Sequence, residues 1–210
     1  APNASTPVVQ LLALNGANNV DIALTPKGNG SLTAQVADNT SAGGNKRGTS
    51  SVDWQLLRTS ASHVASGISA TISGGYQNTA SGNYSVVAGG NVNISSGQAS
   101  TVSGGNGNLA SGSYTTVAGG NGNTASGLRS LVTGGNGNTA SGQTSLVVGG
   151  SSNVANNTSA VVTGGDNNTA SGAQSFVGSG TSNTASGSRA LVVGGNTNTA
   201  SGQTSVVVGG

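Results

Sequence analysis

The chain has 210 residues, of which 38 are glycine, five are aromatic and ten are charged. An ordinary domain carries about a quarter charged residues and roughly 7 % glycine, so a conventional core of large apolar side chains is excluded. The net charge is only +2, cysteine is absent, and the six cations (Lys27, Lys46, Arg47, Arg58, Arg129, Arg189) are scattered. That leaves no clustered basic footprint for nucleic acid, no disulfide, and no apolar run of about 20 residues to cross a bilayer.

Residues 1–52 differ from the rest. "VDIALTPKGNGSLTAQV" reads as two alternating strands joined by Pro-Lys-Gly-Asn-Gly, a hairpin signal. "SAGGNKRGTSS" follows as a solvated loop containing the one adjacent cationic pair, Lys46-Arg47. We assign 1–52 as a small β cap or adaptor, because the first coil of a stacked array otherwise exposes unpaired strand edges. The chain begins at Ala1 and stops on Gly209-Gly210 in mid-repeat, which reads as a segment of a longer protein.

From Asp53 to Gly67 the sequence "DWQLLRTSASHVASG" fits a degenerate first coil. Its expected register puts Leu56 and Leu57 on the strand and His63 in the place that Asn holds later, while Trp54 plugs the end of the core. From Ile68 a fifteen-residue unit repeats nine times, over 68–202, with a partial tenth at 203–210. Position 5 of the unit is Ile72 and then Val at 87, 102, 117, 132, 147, 162, 177, 192 and 207. Position 11 is Asn78, Asn93, Asn108, Asn123, Asn138, Asn153, Asn168, Asn183 and Asn198, and position 13 is Ala except for Ser95. A disordered Gly/Ser/Asn segment has no reason to hold such phase.

Fifteen residues are too few for a helix pair, so each unit is a coil with two short strands, at positions 2–6 and 10–13. The Gly pair at 7–8 and Ser-Gly at 14–15 supply the turns. The fold class expected is therefore all-β, a parallel β-roll or solenoid over 53–210, its nine full coils making a rod of roughly 40–45 Å. Alternation points Val inward with the small residue of position 3, and stacks the Asn side chains in a structural ladder. Position 4 points outward, yet carries Val86, Leu131, Leu146, Val161, Phe176, Leu191 and Val206. A strand apolar on both faces is buried on both faces, so this stripe predicts a homotrimer packed about an axis.

"GGNGNTASG", at Gly119–Gly127 and again at Gly134–Gly142, is architecture by the same reasoning. It leads into a strand, whereas a dinucleotide fingerprint needs a following helix. It also lacks the carboxylates of a calcium-binding turn. One His, no Cys and four separated Asp predict no enzyme, no catalytic residue, no cofactor and no metal.

Units such as "NYSVVAGGNVNISSG" and "SYTTVAGGNGNTASG" resemble the YadA-like head repeats of trimeric autotransporter adhesins, although that family's unit is slightly shorter and carries one Gly. "IALTPKGNGSLTAQV" with "GGNKRGTSSVDWQ" looks like segments preceding such repeats in bacteriophage or other viral tail fibres. The resemblance implies left-handed rolls, three side by side, in an extracellular or virion-borne fibre. Such a fibre would attach to a host cell-surface glycan or protein and join other virion or fibre components, with no membrane insertion in this segment. Tyr84, Tyr114, Arg129 and Arg189, which share position 2, are the candidate receptor contacts. The first alternative is the head of a bacterial adhesin. An alternative of another class is an ice-binding β-solenoid, in which Thr79, Thr124, Thr139, Thr169, Thr184 and Thr199 at position 12, with Ser at position 14, form a hydroxyl lattice interrupted at Ile94, Leu109, Val154 and Asn156.

Overall fold

The computed structural model describes residues 30–55 and 57–210. Every strand is two residues long and every pairing is parallel, between one coil and the next. Positions 4–5 form a 12-stranded sheet and positions 12–13 a 9-stranded sheet. A third line of single-residue bridges joins position 9 of successive coils, from Leu57↔Tyr76 through Thr181↔Asn196. The second strand of the coil is thus shorter than the expected 10–13. Position 10 instead belongs to the turn and has a positive φ.

The interior is thin. Val at position 5 and Ala at position 13 face each other, fully buried, as two continuous columns, and each buried Val contributes about 1.5–3 kcal/mol. The largest apolar side chain in this interior is Ile72, in the first regular coil.

Two turn positions reverse the direction of the backbone amide. Strand amides donate towards the following coil, as from Thr71 to Ser85 O (2.9 Å). At positions 2 and 10 the left-handed conformation turns the N–H towards the preceding coil, as from Tyr84 to Ile68 O (2.7 Å) and from Val92 to Tyr76 O (2.9 Å). The coils are therefore bonded in both directions.

The two glycines of the Gly pair are not equivalent. At Gly90 (φ +86°) an added Cβ would meet Gly105 O at 2.3 Å and Asn93 Nδ2 at 2.6 Å, whereas at Gly89 it would meet nothing. The expected turn requirement thus rests on the second glycine, and the first is replaceable, as Ser179 illustrates.

The N-terminal coils depart from the expected register. Val52 and Asp53 pair with Thr71 and Ile72, so they hold the places expected for Leu56 and Leu57. Leu57 lies at the position-9 bridge, 65 % exposed, and Leu56 lies outside the described residues. Ala65 pairs with Ala80, which leaves four extra residues between Asp53 and Ala65 and explains the slip. Leu32–Thr33 pairs in parallel with Val52–Asp53, extending the long sheet across the 52/53 boundary. The arm of the proposed hairpin before residue 30 lies outside the described residues.

Gly90→Ala is expected to destabilise the fold by about 2–3 kcal/mol, whereas Gly89→Ala stays within about 0.5 kcal/mol of the parent. Equilibrium urea unfolding measures both.

Candidate functional site

The two sheets present two outer faces of different chemistry. On the short sheet, positions 12 and 14 point outward. Position 12 is Thr at 79, 124, 139, 169, 184 and 199, and position 14 is Ser in every complete coil but that of Asn156. Thr124 pairs with Thr139, and Thr169 with Thr184 and then Thr199, each directly in register. Neighbouring rows are therefore about 4.8 Å apart, and positions 12 and 14 about 6.8 Å apart along the strand. Among the described residues, none of these Thr or Ser hydroxyls bonds to a protein group. Val154 keeps a branched side chain in the row between Thr139 and Thr169.

On the long sheet, positions 4 and 6 point outward. The position-4 residues Leu131, Leu146, Val161, Phe176 and Leu191, like Val86, are half-buried, while Val206 in the last coil is exposed. Beside them Val148 and Val193 are 42 % and 47 % exposed. The hydroxyls of Thr133 and Thr163 donate to the carbonyls of Val148 and Gly178 one coil on. From Leu131 onward this face is thus apolar, and its threonines are engaged by the backbone. The earlier rows, Thr71-Ser73, Thr101-Ser103 and Thr116-Ala118, are smaller and more polar.

The Asn column lies inside. From Asn93 onward each backbone N–H donates to Oδ1 of the Asn one coil earlier, as from Asn123 to Asn108 and from Asn138 to Asn123 (2.9 Å each). Each Nδ2 donates twice to carbonyls of the Gly turns, as from Asn123 to Gly119 O and to Gly135 O (2.9 Å each). Asn93, Asn153, Asn168, Asn183 and Asn198 repeat the pattern, and Asn78 repeats its two Nδ2 bonds. Side-chain amide contacts between neighbours are secondary, at 3.2 Å from Asn108 to Asn93 and from Asn168 to Asn153. A separate external amide ladder, not expected from the sequence, links Asn91, Asn106, Asn121 and Asn136 at 2.8–2.9 Å. Its signal was Asn recurring at position 9.

Position 2 carries Tyr84, Tyr114, Arg129 and Arg189 at one exposed corner, with φ between 57° and 60°. The two tyrosines lie two coils apart and the two arginines four. Arg189 Nε donates to Gln174 Oε1 (3.1 Å).

The N-terminal end of the core is polar and charged. Asp53 stands in the Val column and accepts from Arg47 Nε (3.0 Å) and Arg58 Nη2 (3.2 Å), with all three groups buried. Arg47 is therefore structural, and only Lys46 of the expected solvated pair is exposed. Gln55 corrects the place expected for His63 in the ladder. Its Oε1 accepts from Asn78 N (2.8 Å) and its Nε2 donates to Asn78 O (2.8 Å), so a longer amide closes the column. Trp54 is 47 % exposed rather than a plug, because the alternation that buries Asp53 and Gln55 turns it outward. Among the described residues no three His, Cys, Asp or Glu side chains gather to hold a metal, and no helix is long and apolar enough to cross a membrane.

A family comparison matches residues 95–194, just under half of the chain. The match is to the grass antifreeze beta roll. It covers most of the regular coils and much of both outer faces. A comparison with curated proteins finds no match. The chain is a parallel β-solenoid of about ten turns, similar over that span to the antifreeze roll.

Burial and then the Arg58 charge hold His63 below its ordinary value of 6.5. The folded chain thus takes up that proton less readily than the unfolded chain. Stability is full above pH 6.5, falls as the pH drops from 6.5 towards the lowered folded value, and levels off below it. Thermal melts across this range should show the step, and His63→Gln should remove it. The backbone N–H and hydroxyl of Thr40 lower Asp38 from 3.8, so its contribution declines only in a more acidic window.

Proposed function

We propose that the chain is an ice-binding β-solenoid and that the Thr/Ser face of the short sheet is the binding surface. The observation that carries this reading is an in-register array of hydroxyls that the protein itself leaves unbonded. Ice is a rigid lattice of donors and acceptors. A surface that recognises it needs a repeating spacing, little freedom to lose, and groups not already engaged. Stacked coils supply all three. Row spacing is fixed by the strand ladder, the ordering entropy is spent in folding and not on binding, and weak contacts add across the rows. Each Thr also carries a methyl group beside its hydroxyl, which favours ordered over bulk-like water at the surface. The match of residues 95–194 to the grass antifreeze beta roll supports the same reading.

A bulky residue in the middle of the array lifts the surface off a flat crystal. Thr139→Tyr is expected to lower thermal hysteresis and inhibition of ice recrystallisation about tenfold, with circular dichroism unchanged. Val148→Tyr on the opposite face should leave both activities near the parent. A parent protein without either activity overturns the proposal, and loss confined to Val148→Tyr overturns the choice of face.

The apolar outer rows of the long sheet favour a second reading, in which copies of the chain pack through this face as a trimeric fibre segment displayed outside a cell or virion for attachment. Leu131, Leu146, Val161, Phe176 and Leu191 are half-buried in the single chain, and association would cover the remainder. Sedimentation should report a trimer, and combined replacement of Leu131, Leu146 and Leu191 by Asp should yield monomers. A monomeric parent excludes this packing. The two readings use opposite faces, so each can fail without the other.

A further inference from the structure

We propose that the corner carrying Tyr84 and Tyr114 is a docking track for a linear β-1,4-linked polysaccharide of the cellulose or chitin kind. The two rings occupy the same position of the repeat, share φ 60°, and are 57 % and 53 % exposed. Their backbone amides are tied to the preceding coils, Tyr84 N to Ile68 O (2.7 Å) and Tyr114 N to Gln98 O (2.8 Å). Both are therefore fixed to the coil lattice, two steps apart, at about 9.6 Å. Ala99 holds the intervening step and has no ring to close the gap.

That separation is close to the two-sugar repeat of an extended β-1,4 chain, in which alternate rings present the same C–H face. Two tyrosines two coils apart would each stack on one such face, and the Ala99 gap would pass the sugar turned the other way. Aromatic side chains join an apolar face to a polar edge, as this contact needs. Exposed Gln98 and the Nδ2 of Asn83, whose Oδ1 accepts from Ile68 N (3.1 Å), flank the rings with amide groups for sugar hydroxyls, and Arg129 continues the column one coil beyond Tyr114. An α-1,4 chain coils and cannot follow a straight edge.

The left-handed conformation is shared by position 2 of every coil, from Ser69 to Thr204, so it belongs to the turn. What singles out Tyr84 and Tyr114 is their exposed rings and their two-coil spacing.

The test is retention of the whole chain on microcrystalline cellulose and on chitin, with titration of the soluble hexasaccharides of each. The parent is expected to be retained on at least one polymer. Tyr84→Ala and Tyr114→Ala should each weaken binding about tenfold, and the double variant should abolish it. Tyr→Phe at either position should keep it, and α-1,4 glucan should not bind. Tyr84→Gly should raise the melting temperature while losing affinity, which separates lost contact from lost fold. No retention on either polymer, or retention that the double Ala variant leaves unchanged, overturns the proposal. The double variant should keep the full thermal hysteresis of the parent, so the fate of the glycan track is independent of the ice-binding face.

Discussion

The structure depends on the side chain of Asn at position 11. Stacked coils with so narrow an interior leave little apolar surface to bury, and the buried turn carbonyls and strand amides beside the core cannot all reach strand partners. One amide side chain accepts from the next coil's backbone and donates to two Gly carbonyls, one in its own coil and one in the next. Buried polar groups are costly when unpaired and contribute when fully paired. The column therefore converts a liability of the thin core into its main directional bond. It also fixes where glycine must stand, because the next coil's Gly carbonyl that Asn Nδ2 bonds, and Nδ2 itself, occupy the space in which a Cβ at position 8 would lie.

The same constraint separates inside from outside. With Val, Ala, Asn and a small position-3 residue filling the interior, the outward positions 4, 6, 12 and 14 are released from folding duties and are free to specialise. One sheet keeps its hydroxyls for solvent. The other turns apolar towards the C-terminal coils, where its remaining hydroxyls, on Thr133 and Thr163, are engaged by its own backbone. Two faces of a single ladder, built on the same spacing, thus acquire opposite characters from two residues per strand.

Much of this was legible because repetition multiplies a weak signal. A single "SVVAGG" is ambiguous, whereas ten Val or Ile residues and nine Asn in phase are not, and the inward columns and the outward Thr row follow from alternation alone. The first coil was misread for a physical reason. Four extra residues shift its register, and its Val site is filled by Asp53, whose partners Arg47 and Arg58 come from separate turns that no periodicity could pair. Gln55 closes the ladder from outside the repeat, whereas the equivalent place in the fifteen-residue register falls on His63. The left-handed corners were hidden for the opposite reason: Tyr, Arg and Val stand where conformational preference would have put glycine. The period alone did not show whether the greasy row or the hydroxyl row is the working surface, since both are equally regular.

Because each coil bonds only to its two neighbours and carries the same internal parts, the molecule has no intrinsic size. Duplicating or losing one repeat in the gene would move the ends of the rod without disturbing a buried contact, and would add or remove one rung from every outer face at once. Reach and surface capacity in such a protein are inherited together, as a single countable trait.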